Sequence, residues 1–143
     1  MTRTLVDFLG SYTLERRIVD RKAATESRFE GKAVISKGAE GALYQENGHL
    51  ILAGQRFEAE RTYLWRETGG RIFVSFADGR AFHDFDPVKG GDATRHLCGE
   101  DWYLGGYDME DWPRWRVTWE VSGPRKDYTS ITDYRPISED VSD

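Results

Sequence analysis

Between Trp112 and Tyr134 the chain reads WPRWRVTWEVSGPRKDYTSITDY. Trp115, Val117, Trp119 and Val121 alternate there with Arg116, Thr118, Glu120 and Ser122. A period of two places four apolar side chains on one face of a strand and polar ones on the other. Gly123–Pro124 marks a turn, and Tyr128, Ser130, Thr132 and Tyr134 alternate beyond it. This pattern is a β-hairpin with one buried face. A face this aromatic has to be covered by a second sheet, or by its own sheet curled onto itself.

The chain has 143 residues, enough for one domain with a sizeable core. With 20 Lys and Arg against 25 Asp and Glu, the formal charge is −5, which argues against a general nucleic-acid binder. A single cysteine, Cys98, rules out an internal disulfide and fits a reducing compartment. The first residues lack the apolar core of a leader, and no apolar run approaches membrane-spanning length. A soluble cytoplasmic protein is expected, a monomer or homodimer without nucleic-acid or membrane partners. Residues 1–136 are expected to form the domain, and 137–143 an acidic, disordered tail.

Thr4 to Leu9 fits one or two helical turns with Leu5, Phe8 and Leu9 on one side. Tyr12 to Ile18 alternates and carries Arg16 on its apolar face. In Ser27 to Ser36 the apolar face is Phe29, Gly31, Ala33 and Ile35, whose small members suggest a crowded strand. Asn47–Gly48 is the strongest hairpin signal, joining Leu43–Glu46 to His49–Ala53. Phe57 to Arg66 alternates again. A Glu67–Gly70 loop sets Trp65 opposite Ile72, and a two-residue Asp78–Gly79 turn sets Val74 opposite His83. Both turns then place Arg61, Tyr63, Trp65, Ile72, Val74, Phe76, Ala81, His83 and Phe85 on one face. Thr94–Cys98 and Trp102–Asp108 complete the set, weakened by Gly105–Gly106. The reading is an all-β fold: a single antiparallel up-and-down barrel of about ten strands, with the short helix at one end.

The runs RFEG (28–31), ERTYLWR (60–66), DGRAFHDFD (78–86), HLCGEDWY (96–103) and WPRWRVTWEVSGPRKDY (112–128) resemble a bacterial family known only as a domain of unknown function. The resemblance covers nearly the whole chain. It implies a calycin-like barrel, the architecture of lipocalins and fatty-acid-binding proteins, and it implies no activity. Gly10–Ser11–Tyr12 stands where lipocalins carry Gly-x-Trp.

The inner face has an unusual polar subset: Arg16, Arg61, Tyr63, His83, Lys126 and Tyr128, beside Trp65 and Trp119. Inward cations cost several kcal/mol unless paired or hydrated. Asp108 is the main acid on the inferred inner face, so a hydrated cavity for an anionic, polar-aromatic or fatty ligand is the expectation. A second reading is a cofactor-free enzyme acting on a small carboxylic acid. Arg16 or Arg61 would hold the carboxylate, and Tyr63 or His83 would move a proton. A third is a packed structural or interaction module. His96 and Cys98, two residues apart, make a weak zinc pattern with His83. No metal and no cofactor is expected.

Overall fold

The computed structural model describes residues 2–138, so all but the first two residues of the tail expected over 137–143 lie outside them. A short 3-10 helix, Leu5–Phe8, precedes eleven strands. These are β1 (Gly10–Asp20), β2 (Thr25–Lys37), β3 (Ala42–Leu52), β4 (Gln55–Thr68), β5 (Arg71–Phe76) and β6 (Ala81–Phe85). The second half holds β7 (Gly91–Asp92), β8 (His96–Cys98), β9 (Asp101–Asp108), β10 (Trp115–Ser122) and β11 (Asp127–Pro136). Their order is β6-β5-β4-β3-β2-β1-β11-β10-β9-β7, with β8 also on β9, in a nearly closed antiparallel barrel. At the seam, the Thr94 amide donates to the Asp84 carbonyl at 3.1 Å.

The expected alternation holds where the barrel is filled. Trp115, Val117 and Val121 of β10 are buried, as are Ser130, Thr132 and Tyr134 of β11. The short helix closes one end. Its Phe8 is fully buried among the rings of Trp65, Phe85, Trp112 and Trp115. Asp7 accepts from the Thr4 amide at 2.8 Å, and Glu67 accepts from the Leu5 amide at 3.0 Å. These bonds satisfy N–H groups that a helix start leaves open.

Asn47–Gly48 is not a turn. β3 runs through both residues, with Gly48 paired to Gly31 on one side and Ala59 on the other. The chain reverses at Ala53–Gly54, both at positive φ (52° and 79°), as a two-residue hairpin turn requires. The glycine at 48 serves packing. A Cβ there would run into the Glu30 carbonyl oxygen and lie 2.8 Å from the Phe29 ring. The facing Gly31 would strike the Asn47 carbonyl in the same way. The two strands therefore approach closely only with glycine at both positions. We expect Gly48→Ala to lose roughly 1–3 kcal/mol in urea melts, and Asn47→Ala less than about 0.5 kcal/mol. Equal losses would restore the turn reading.

The β4–β5 register is shifted by two residues from expectation. The strands run on to Thr68 and Arg71, around a Gly69–Gly70 turn with both φ positive, so Trp65 faces Val74 and Tyr63 faces Phe76. A shift of two preserves the face. Between β5 and β6 two departures cancel. The loop is one residue longer than expected, with Phe76 bonded to Arg80 and Ser75 paired with Ala81. A bulge then leaves Phe82 unpaired and restores Val74 opposite His83. Ala81, expected inside, is exposed.

Candidate functional site

The middle of the barrel carries a closed polar network. Arg16 on β1 reaches Glu46 on β3 through two bonds, Nη1 to Oε2 at 2.7 Å and Nη2 to Oε1 at 3.0 Å. Its Nε donates to Thr132 Oγ1 at 2.8 Å. Tyr44 donates to Glu46 Oε1 at 2.6 Å, and its oxygen lies 2.7 Å from the Tyr134 hydroxyl. Arg16 is 8% exposed and Glu46 2%. Burial on its own would raise the Glu46 carboxyl. The hydrogen bonds and charge of Arg16, with Arg61 and the Tyr44 hydroxyl, outweigh it and hold the group below the usual carboxylate range. Burial likewise disfavours the Arg16 charge, but Glu46 more than offsets this and raises its affinity for the proton.

Glu46 is the acid that sequence reasoning missed. Reading Asn47–Gly48 as a turn placed it at a strand end, whereas the continuous β3 keeps it in phase with Tyr44 on the inner face. Asp108, the acid expected inside, is exposed.

The half of the barrel beyond this network encloses a cavity of about 50 Å³. Arg16, Arg61, Tyr63, Trp65, His83 and Trp119 line it, six of the eight side chains expected there. Trp65 belongs to its floor and stacks on Tyr44 at 5.7 Å. Lys126 and Tyr128 do not line it. Lys126 lies in the exposed loop between β10 and β11, with Nζ 2.9 Å from the Tyr103 hydroxyl and 3.7 Å from Asp101. Tyr128 is half-buried opposite Val121. The Gly123 amide donates to the Lys126 carbonyl at 2.8 Å, so Lys126 closes the β10–β11 turn, outside the paired residues of both strands.

Arg61 differs from Arg16. Its side chain is 51% exposed, and its Nε stands 3.8 Å from Glu46 Oε2, an oxygen already bound by Arg16. The rings of Phe76, Phe82 and Trp119 form a stack, with centroids 4.8 and 5.0 Å apart, and Phe82 and Trp119 also line the cavity. Phe82 was not expected here. As the bulge residue it shares the inner side with its neighbour His83, which simple alternation forbids. Trp119 in turn needs Gly105, where a Cβ would sit 2.5 Å from the indole ring.

His83 is 7% exposed, and its Nε2 lies 2.7 Å from the Tyr107 hydroxyl. Its Nδ1 is buried without a hydrogen-bond partner. Burial, with the nearby His96, pushes its pKa down to about 3, so the ring is neutral at pH 7. Burial also pushes the Tyr63 and Tyr107 phenols up, so both stay protonated. His96 packs on the Phe76 and Phe82 rings, and Cys98 is exposed. Among the described residues no group of three or more His, Cys, Asp or Glu is placed to hold a metal, and no helix is long and apolar enough to cross a membrane.

No curated protein matches the chain. A crystal structure of a protein of unknown function from the DUF3598 family of Nostoc punctiforme has the same fold, with a TM-score of 0.63 at 10% identity. The alignment covers 95% of this chain and 50% of that one, so this chain spans about half its length. Residues 8–136, from the plug residue Phe8 to the end of β11, match the model of a family of unknown function, and the chain is therefore a member of the DUF6314 family.

Proposed function

We propose that the protein binds a small anionic molecule in this cavity, at Arg61 and beside the Phe82 and Trp119 rings. The observation that carries this reading is a charge count. Two guanidiniums, Arg16 and Arg61, address the single carboxylate of Glu46. Arg16 is bonded to both Glu46 oxygens, so the excess positive charge resides on Arg61, beside the cavity and open to solvent. A monoanion at Arg61 balances it. The formal charge of −5 directs the reading to a small molecule rather than to nucleic acid.

The cavity of about 50 Å³ holds a few heavy atoms, far below the roughly 300 Å³ of a drug-sized pocket. The volume favours a compact acid over a fatty chain, with its carboxylate at Arg61 and a short remainder between Tyr63, His83 and Trp119. The same small volume supports a second reading, a packed module without a ligand.

A thermal-shift series of short carboxylic acids separates the two. On the first reading the melting temperature rises by mass action, equivalent to roughly 2.7 kcal/mol at 100 times Kd. Arg61→Met keeps the unliganded melting temperature, because that side chain is half exposed, and loses the rise. If no acid moves the wild type, the barrel is a packed module, and an equal response of Arg61→Met overturns binding at Arg61.

A further inference from the structure

The cavity has a second polar feature that the charge count does not use. His83 Nδ1 is buried, unpartnered, and belongs to a ring that lines the cavity. A buried ring nitrogen without a partner is uncommon, since leaving one unbonded is costly. The other ring nitrogen decides its chemistry. Nε2 faces only the Tyr107 hydroxyl, at 2.7 Å. Between a neutral phenol and a neutral imidazole, the phenol is the stronger acid and the imidazole nitrogen the stronger base. Tyr107 therefore donates to Nε2, and the imidazole proton resides on Nδ1. The ring that carries this N–H lines the same cavity as the Arg61 guanidinium.

The strand register gives the spacing. His83 shares a row with Val74 and Trp65. Arg61 lies four residues from Trp65 along β4, about 13 Å, and His83 lies two strand spacings across from Trp65, about 10 Å, so the two backbones are roughly 16 Å apart, a gap that the Arg and His side chains shorten from both sides. What remains is the length of a molecule with a few carbons.

We infer that the ligand is a short oxo acid, its carboxylate on Arg61 and its carbonyl oxygen accepting from His83 Nδ1–H under the Phe82–Trp119 lid. This rests on the reading of the barrel as an anion binder and adds the second recognition point. The carbonyl oxygen is an acceptor without a proton, so it matches an N–H donor. A plain alkyl acid of the same length leaves Nδ1 unpaired.

The test uses matched acids on the full chain. Pyruvate and 4-oxopentanoate are titrated against propionate and pentanoate, which lack the carbonyl, by calorimetry. Nitrogen NMR of histidine-labelled protein follows the His83 ring. The expected result is a preference for at least one oxo acid of about tenfold or more over its partner, abolished in His83→Phe. Before any ligand is added, the NMR spectrum should show the proton on Nδ1. Equal binding of oxo and plain acids leaves the anion-binding reading intact and overturns this one. Binding of none overturns both. A proton found on Nε2 overturns the donor assignment irrespective of ligand, and a preference kept in His83→Phe assigns the carbonyl to another group. If His83→Phe does not fold, the wild-type Nδ1–H signal decides in its place: it should shift with the oxo acid and not with the plain acid, and an equal response to both overturns the inference.

Discussion

Glu46→Ala is expected to destabilise the barrel by roughly 3–5 kcal/mol, because it leaves the Arg16 guanidinium charged and unpaired in the core. Three partners lose an acceptor in that variant: both terminal nitrogens of Arg16 and the Tyr44 hydroxyl. The comparison that makes this specific is a double variant, Arg16→Met with Glu46→Leu. Replacing both charges with apolar groups removes the desolvation cost together with the attraction, so it should recover most of the loss. Urea melts of the two variants and the wild type decide it. If Glu46→Ala costs less than about 1 kcal/mol, as for an exposed pair, the network is solvated and the charge count above fails. The pH dependence has a definite sign. Glu46 has a depressed pKa in the folded state, so its contribution is present above its unfolded pKa and is lost as pH falls through the folded value.

Acidification should weaken the protein earlier than this, through His83. Its folded pKa of about 3 lies below the unfolded value near 6.5. Between these values the unfolded chain binds a proton that the folded barrel does not. Stability from this group is therefore complete above about pH 6.5 and falls as pH drops, by up to about 1.4 kcal/mol per unit. From pH 6.5 to 4.5 the loss approaches roughly 2.5 kcal/mol. The cause is burial, with the adjacent His96 adding to it. Tyr107, the group bonded to the ring, is a protonated phenol throughout. The Arg16 and Arg61 guanidiniums line the same cavity and oppose a second cation there. Denaturant melts at half-unit intervals, compared with His83→Gln, isolate this contribution. The variant should lose the slope, and a wild type flat between pH 6.5 and 5 would mean that the ring is hydrated.

The inner face was largely legible in the chain. Trp115, Val117, Val121, Thr132, Tyr134, Phe29, Ala33, Ile35, Ile72, Val74, His83 and Phe85 are buried where alternation places them. Arg16 is inside for the same reason. The site was legible only in part. Arg61, Tyr63, His83 and Trp119 meet at one cavity as expected, whereas Lys126 and Tyr128 stand outside it. Glu46 was hidden by an Asn–Gly pair that resembles a turn, and Phe82 by a bulge that no local pattern marks.

The chain by itself determined which residues face in, because a strand's period of two is written in neighbouring residues and survives a register shift of two. It also marked β2 as a crowded strand, through Gly31 and Ala33 among its apolar residues, but not the facing Gly48, which read as part of a turn. Only the tertiary structure decided what the inward residues do. Whether Asn47–Gly48 bends or continues depends on the strands on either side. Whether Arg16 needs a ligand depends on an acid 30 residues away. The unpaired nitrogen of His83 depends on a tyrosine 24 residues on, brought across the barrel seam. Such partners are set by closure of the sheet, a long-range event with no local signature.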